Sequence, residues 1–248
     1  MLTRGALALA ALALLTGCTA DPVTTRPDPA RPTVSSPTSS PAASPTSSVP
    51  TPPPPPADFT ASSRRLTAAE QAAMRGVSWH PGCPVPLADL RVVRLAFHDF
   101  AGRRRTGRLV VHRDVVADVR RVFRRLWRLD YPIRRMRPVE AYDGDDFASI
   151  EADNTSAFNC RAKTGSSTTW SHHAYGRAID LNPLENPYVL HGRTTHDGSV
   201  PYLDRTTPRP GVLIEGDPVV AAFDAIGWYW GGRWRDPVDH QHFSAMPS

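Results

Sequence analysis

The sequence predicts an α+β fold with a small, mainly antiparallel sheet and flanking helices. Stretches typical of strands and of helices are segregated along the chain and do not alternate strictly, which favours antiparallel pairing over a parallel sheet. These stretches fall within residues 58–248, and a span of that length can bury a core of its own. We therefore expect one folded domain over residues 58–248.

Local patterns predict the individual elements. Residues 90–98 and 108–113 are rich in β-branched and apolar residues, and the polar, glycine-containing stretch 102–107 between them predicts a hairpin. Apolar residues recur every three to four positions in 114–130, which predicts a helix with Asp114 as its N-cap. Weaker patterns predict helices at 65–76, 145–153 and 217–226, and strands at 133–140, 176–182, 227–230 and 240–245.

Two segments precede this domain. Residues 1–17 combine Arg4 with an apolar run that is too short to cross a membrane, which indicates a secretory signal. The end of this run, residues 15–18 (LTGC), resembles a bacterial lipobox, and the resemblance implies that Cys18 becomes a lipidated N-terminus. An ordinary signal peptide is the alternative. Thirteen of the 26 prolines lie in residues 18–57, so this segment predicts a disordered, extended tether.

These segments predict a location at the outer face of the bacterial cytoplasmic membrane, with the lipid as anchor and the domain facing the cell wall. The formal net charge is +5, and many arginines fall on the predicted helix 114–130. That basic face is either a solvated surface or a site of attraction to anionic envelope polymers and lipid headgroups. We expect a monomer and no nucleic-acid partner, since we recognise no nucleic-acid-binding motif.

Two cysteines lie within the predicted domain, Cys83 and Cys160. In an oxidising extracytoplasmic compartment they can form a disulfide. Closing a loop of this length would stabilise the fold by about 4 kcal/mol. The alternative is two unrelated buried thiols.

The residues that suggest chemistry are concentrated in two short stretches. SHHAYGRAID contains His173 and Asp180, and DHQHF contains Asp239 and His242. Imidazole and carboxylate ligands suit zinc, and a catalytic zinc site requires three protein ligands plus an open position. A second carboxylate nearby can act as a general base. The two stretches therefore predict a catalytic metal site.

The residues around the candidate ligands place a condition on the metal site and offer alternative ligands. The two candidate ligands of the first stretch are seven positions apart, so they can share a metal only if the chain turns between them, and Gly176 permits such a turn. His172 and His240 adjoin candidate ligands and are the alternative ligands. We expect Ser171 to hydrogen-bond a ligand from outside the coordination sphere. It is not interpreted as a nucleophile because a GxSxG context is absent.

The pattern S-x-H-x-x-G-x-A-x-D followed by D-x-x-H-F resembles the zinc D-alanyl-D-alanine carboxypeptidases of the VanY type. It is still more similar to their relatives that cut the L-alanyl-D-glutamate bond. The resemblance covers roughly residues 75–248 and implies the fold that these peptidases share with the Hedgehog signalling domain. It implies Asp239 as general base, where VanX-like members carry glutamate, and Arg161 as the cation that polarises the scissile carbonyl. A structural ion pair is the alternative role of Arg161. The zinc ligands that the resemblance implies are His173, Asp180 and His242.

The resulting hypothesis is an extracytoplasmic zinc metallopeptidase that acts on peptidoglycan stem peptides. The bond cut is either D-Ala-D-Ala, by a carboxypeptidase, or an internal bond such as L-Ala-D-Glu, by an endopeptidase. One alternative is a non-catalytic, zinc-containing module that binds the cell wall, and another is a zinc amidase or esterase. The choice of bond depends on residues 184–212, a Pro- and Gly-punctuated stretch that is either a lid or a cleft wall.

Overall fold

A hairpin of two long strands organises the N-terminal half of the domain. The computed structural model describes residues 58–247, so the predicted leader 1–17, the lipidation site Cys18 and the tether 18–57 lie outside the described residues. No helix within residues 58–247 has the length and apolar character that crossing a membrane requires. The strands are β1 Ala61–Arg65, β2 Leu90–His98, β3 Arg104–His112, β4 Arg135–Met136, β5 Asn154–Thr155, β6 Ala178–Asp180, β7 Tyr188–Val189, β8 Tyr229–Trp230, β9 Val238–Asp239 and β10 His242–Ser244, and the α-helices are α1 Ala68–Met74, α2 Val116–Arg128, α3 Asp146–Glu151 and α4 Pro218–Asp224.

The hairpin of β2 and β3 is longer than the sequence pattern predicted. β3 begins at Arg104, because Asp99 closes the connection tightly. Its Oδ1 accepts hydrogen bonds from the backbone N–H groups of Ala101 (2.9 Å) and Arg103 (3.0 Å). The polar residues that looked like a turn are an exposed strand end, where arginine side chains reach water. β1, which the sequence pattern did not predict, pairs antiparallel with the other edge of β2.

Each face of the β1-β2-β3 sheet covers a separate apolar cluster. Side chains alternate between the two faces of a strand, and accordingly the neighbours Val92 and Val93 of β2 lie in different clusters. The larger cluster includes the buried faces of α2 and α4. Cys83 and Cys160 lie at the smaller cluster, with their sulfurs 2.06 Å apart as a disulfide.

Helix α2 corresponds to the helix predicted over 114–130. Its apolar stripe is buried in the larger cluster and consists of Val119, Val122, Phe123 and Leu126. The predicted N-cap, Asp114, is wrong, because a 3-10 turn, Arg113–Val115, leads into the helix. Nδ1 of His112 caps that turn, and the Asp114 carboxylate pairs with Arg177 at 2.9 Å.

A second three-stranded sheet, in the order β6-β10-β8, carries the C-terminal end of the domain. Its antiparallel register sets His242 of β10 opposite Asp180 of β6. Below it, the buried ring of Phe223 on α4 stacks on Phe243 with 3.7 Å between centroids. The α+β class with small antiparallel sheets is confirmed, although the described strands form two three-stranded antiparallel sheets and two two-stranded pairs, and not one sheet. The Hedgehog-like assignment stays a prediction.

The predicted strand over 133–140 is reduced to β4, which pairs in parallel with β5. Pro138 interrupts the extended chain and precedes a 3-10 turn, Val139–Tyr142. The predicted helices 65–76, 145–153 and 217–226 are present in shorter form as α1, α3 and α4.

Candidate metal centre

Three buried donor groups from separate parts of the chain converge at β6 and β10. Nε2 of His173 lies 3.1 Å from Oδ2 of Asp180, and Nδ1 of His242 lies 3.1 Å from Oδ1 of the same carboxylate. The two imidazole nitrogens are 3.1 Å apart. The structure therefore brings together the three residues that the sequence suggested as ligands, and all three are buried.

His173 is oriented by the turn that carries it. It lies in a 3-10 turn, His172–Tyr175, and Ser171 caps this turn by accepting a hydrogen bond from the His173 N–H (3.3 Å). Ser171 thus contacts the backbone of a ligand and not its ring. Gly176 ends the turn with φ +63°, which is the turn that the sequence predicted at this glycine. The ring Nδ1 donates to the carbonyl of Ala157 (2.5 Å), which leaves Nε2 as the lone-pair nitrogen that faces the other donors.

Attraction between the charged side chains of this group has a larger effect on the pKa values of Asp180 and His173 than burial has. Burial opposes ionisation of Asp180, yet His173 and His242 hold the pKa of that carboxyl well below its usual range. Burial likewise disfavours a charged His173, yet the Asp180 carboxylate raises the pKa of this imidazole above its ordinary value. The cluster therefore keeps a carboxylate anion and attracts positive charge to the imidazole of His173.

The donor set fits a divalent cation such as zinc. Ligand atoms bound tetrahedrally to zinc at about 2.0–2.1 Å lie about 3.3 Å from one another. The spacing of the donors here is 3.1 Å. The lone-pair nitrogen of His173 faces a carboxylate oxygen, and two such acceptors repel at this distance unless a proton or a cation lies between them. Two neutral imidazoles and one carboxylate also leave the ion with net positive charge.

Asp239 lies beside this group on β9. Its Oδ1 is shielded from solvent and has no hydrogen-bond partner within residues 58–247. Burial, together with the charge of Asp180, raises the pKa of Asp239 to about 7. β9 pairs with β7, which sets Tyr188 opposite Asp239, so this part of the stretch 184–212 forms a wall next to the carboxylate. A carboxyl group with such a pKa can accept and release a proton near neutral pH.

A close backbone approach fixes Asp239 and His242 relative to each other. Gly231 follows β8 in a 3-10 turn, Gly231–Arg233. A Cβ at Gly231 would lie 2.6 Å from the carbonyl oxygen of Asp239 and 3.3 Å from Cβ of His242. Glycine is therefore required where this turn packs against the chain that carries both groups. In the sequence, the adjacent glycines Gly231 and Gly232 are the feature that indicates this close approach.

Arg161 lies near the centre and is also engaged in an ion pair. Its Nη2 binds Oδ2 of Asp146 on α3 at 2.8 Å. The positive charge of Arg161 acts to lower the pKa of His173 and of Asp239, although other effects raise both pKa values overall. Arg161 is therefore within electrostatic reach of both side chains. Its Nε is shielded and has no partner in the described part of the chain. The structure thus contains the ion pair that was the alternative role of Arg161, and in addition an Nε–H donor that no described residue uses.

The alternative histidines lie next to the centre without joining it. Among the described residues, the converging donors include neither His172 nor His240. Burial lowers the pKa of both to about 4, so both are neutral at pH 7.

The sequence did not predict two contacts with the candidate ligands. The carbonyl of Ala157 accepts a hydrogen bond from His173, and a backbone group has no signature in the sequence. The ring of Trp234 lies 5.4 Å from the ring of His242.

Residues 164–245 match a family model described as D-alanyl-D-alanine carboxypeptidase. This stretch is similar to those peptidases. It covers about a third of the chain and contains His173, Asp180, Asp239 and His242, whereas Arg161 precedes it. No curated protein and no solved structure matches the chain. The match supports a peptidase of the D-alanyl-D-alanine carboxypeptidase kind, with a buried His-Asp-His group that is able to bind a metal.

Proposed function

We propose that the chain is an extracytoplasmic zinc metallopeptidase that hydrolyses a peptide bond in peptidoglycan stem peptides. The observation that carries this proposal is the convergence of His173, Asp180 and His242 beside Asp239, whose Oδ1 has no hydrogen-bond partner among the described residues. All four residues lie within the stretch that matches the carboxypeptidase model. Lipid anchoring through Cys18 is part of the same proposal, since it would hold the domain beside the cell wall.

The residues that would hold zinc are His173, Asp180 and His242. When bound, zinc supplies a Lewis acid for the scissile carbonyl oxygen, acidifies a water molecule and favours ionisation of a neighbouring carboxyl group. The hydrogen bond from His173 to the Ala157 carbonyl keeps the ligand nitrogen aimed at the site before any ion arrives.

Proton transfer falls to Asp239. Its Oδ1 has no competing hydrogen bond among the described residues, so it can take a proton from the attacking water and pass it to the leaving amine nitrogen. Arg161 contributes positive charge and an Nε–H donor, which can stabilise the carbonyl oxygen as negative charge grows on it in the transition state.

The test is incubation of the zinc-loaded protein with purified peptidoglycan and defined stem peptides, with the products identified by mass spectrometry. Loss of a terminal D-Ala would identify a carboxypeptidase, and an internal cut would identify an endopeptidase and its bond. Asp239→Asn is expected to keep one zinc per chain and to lower kcat/KM by at least about 100-fold. The matched control is Asp236→Asn, because Asp236 is exposed and binds His191 at 2.7 Å.

The ion pair between Arg161 and Asp146 favours one second candidate, a non-catalytic zinc-containing module that binds the cell wall. In that case the zinc-loaded protein would bind peptidoglycan and release no product, and Asp239→Asn would leave binding unchanged. Absence of product from protein that holds one zinc per chain would therefore refute the peptidase proposal.

A further inference from the structure

A groove lies along the outer edge of β3, the edge that faces away from β2. It has a volume of about 1320 Å³ and is bounded by β3, by α1 and by residues 134–141. Its lining includes none of the candidate metal ligands, and neither Asp239 nor Arg161. Whatever binds in this groove is therefore recognised by groups other than those of the metal centre.

One end of the β3 edge is covered by neighbouring chain. The carbonyl of Val110 accepts a hydrogen bond from Phe158 N–H (3.0 Å), and His112 N–H donates to the carbonyl of Gly176 (2.8 Å). The even-numbered residues of β3 thus direct their backbone groups away from β2. This orientation repeats every second residue along a strand.

The other end of the same edge is open. The β2–β3 register continues without a bulge as far as His98 opposite Arg104. By the same two-residue period, the N–H and C=O groups of Arg104, Thr106 and Arg108 point away from β2 and into the groove. Within residues 58–247 these six groups make no backbone hydrogen bond outside the hairpin. The groove therefore offers donors and acceptors in the alternating order of a strand edge.

Uncompensated positive charge lies beside this open edge. Arg94 of β2 is directly opposite Arg108 in the ladder, and like charges in that position destabilise a sheet. In the described part of the chain, the side chains of Arg94, Arg104 and Arg108 form no ion pair, whereas Arg105 binds Asp99 at 3.0 Å. The acidic residues that line the groove are already engaged: Glu70 by Arg64, Asp99 by arginines of the hairpin, and Glu140 by Ser78.

We propose that this groove binds an extended acidic peptide segment, which adds to the sheet as a strand along β3. A peptide backbone offers both donors and acceptors to the six open groups, whereas a phosphate polyanion offers acceptors alone and leaves three carbonyls without donors. Acidic side chains at alternate positions of the added strand lie on the face of Arg104 and Arg108 and neutralise them. The site is separate from the metal centre and does not depend on zinc.

The experiment measures binding of a fluorescein-labelled peptide with alternating Glu and Val to the full chain, by fluorescence anisotropy. A second and a third peptide of the same sequence carry N-methyl groups on alternate backbone amides, one peptide for each phase of the alternation. Both keep the charge, but only the peptide whose methylated amides would face β3 is unable to pair with it as a strand. The proposal predicts saturable binding of the first peptide, and binding weaker by at least about tenfold for one of the two N-methylated peptides, the one whose methylated amides face β3.

The protein variants test the same contacts. Arg104→Gln/Arg108→Gln is expected to weaken binding by about tenfold. Thr106→Pro removes an outward N–H without removing a bond of the β2–β3 ladder, and it is expected to have a similar effect. The matched control, Arg121→Gln/Arg125→Gln on α2, removes the same charge elsewhere and should bind like the unaltered protein.

Two outcomes would overturn the proposal. Equal binding of the methylated and unmethylated peptides would show that charge alone is recognised, and equally tight binding of polyphosphate would then make the groove a general polyanion site. No saturable binding of any probe would refute a peptide site in this groove. The comparison of peptides uses the unaltered protein, so its result does not depend on whether the variants fold.

Discussion

Substitution of Gly231 by alanine is the sharpest test of how the candidate centre is held together. The added Cβ would stand 2.6 Å from the carbonyl oxygen of Asp239, about 0.8 Å short of ordinary van der Waals contact. It would also lie 3.0 Å from Cβ of Asp239 and 3.3 Å from Cβ of His242. The contacting atoms belong to backbone and to side-chain roots, so they cannot rotate away and the segment has to move.

The displacement predicts effects on both chemistry and metal binding. A shift approaching 1 Å in a catalytic group costs about 100-fold in rate, so we expect kcat/KM for stem-peptide hydrolysis to fall by about that factor. We expect zinc affinity, measured by competition with a chelating dye, to fall by about tenfold because His242 moves with the segment. Overpacking of this kind also lowers the free energy of unfolding by about 1–3 kcal/mol.

The matched control is Gly198→Ala. It adds the same methyl group at an exposed position whose nearest neighbour is the flexible end of Leu184 at 3.2 Å. This variant is expected to keep activity and zinc affinity within about twofold, as surface substitutions usually do. If Gly231→Ala behaved like Gly198→Ala in both assays, the argument that close packing fixes Asp239 and His242 would be wrong.

Two further predictions concern stability. Burial raises the pKa of Glu185 to about 8, so between pH 4.5 and 8 the folded state holds a proton that the unfolded state has released, and the free energy of unfolding should fall as pH rises through this window. Asp239, with its raised pKa, contributes to the same decline, so Glu185→Gln should reduce the slope by the share of one proton, about 1.4 kcal/mol per pH unit, in urea unfolding at pH 5, 6, 7 and 8. An unchanged slope would contradict the assignment. Phe223→Ala should lower the free energy of unfolding by about 3–5 kcal/mol, because the fully buried ring stacks on Phe243, which is next to the candidate ligand His242. The exposed Phe147→Ala should change it by less than about 1 kcal/mol in the same urea titration, and equal losses for the two variants would refute the packing argument.

Residue type predicted a metal site in the stretches SHHAYGRAID and DHQHF, because imidazoles and carboxylates carry that chemistry themselves. Residue type and spacing left His172 and His240 open as alternative ligands. The resemblance to the carboxypeptidases implied His173, Asp180 and His242, and these are the three donors that the structure groups together. The Ala157 carbonyl could not be predicted in this way, since every residue has one and its use depends on tertiary structure. Asp114 was wrongly predicted as the N-cap of α2 for a similar reason. A 3-10 turn precedes the helix, and the periodicity of apolar residues does not reveal such a turn.

The secondary structure likewise includes elements that the sequence pattern predicts and elements that it does not. The amphipathic pattern of α2 predicted a helix because one face is buried along its whole length. Edge strand β1 was missed because four of its five residues are exposed, so no alternation marks it. The two-residue strands are set by pairing with distant segments, as in β7 with β9, and a run of two residues has no period of its own.

The donor atoms of the candidate centre come from positions 69 residues apart in the chain, His173 and His242, with Asp180 between them across the β6–β10 ladder. The centre is therefore completed only when β10, which carries His242, has paired with β6. A chain that is still unfolded keeps the three donors apart and cannot assemble the centre. Formation of this one ladder is thus the assembly step for the hydrolytic activity proposed here, and a truncation that removes β10 would leave a chain without the His242 donor.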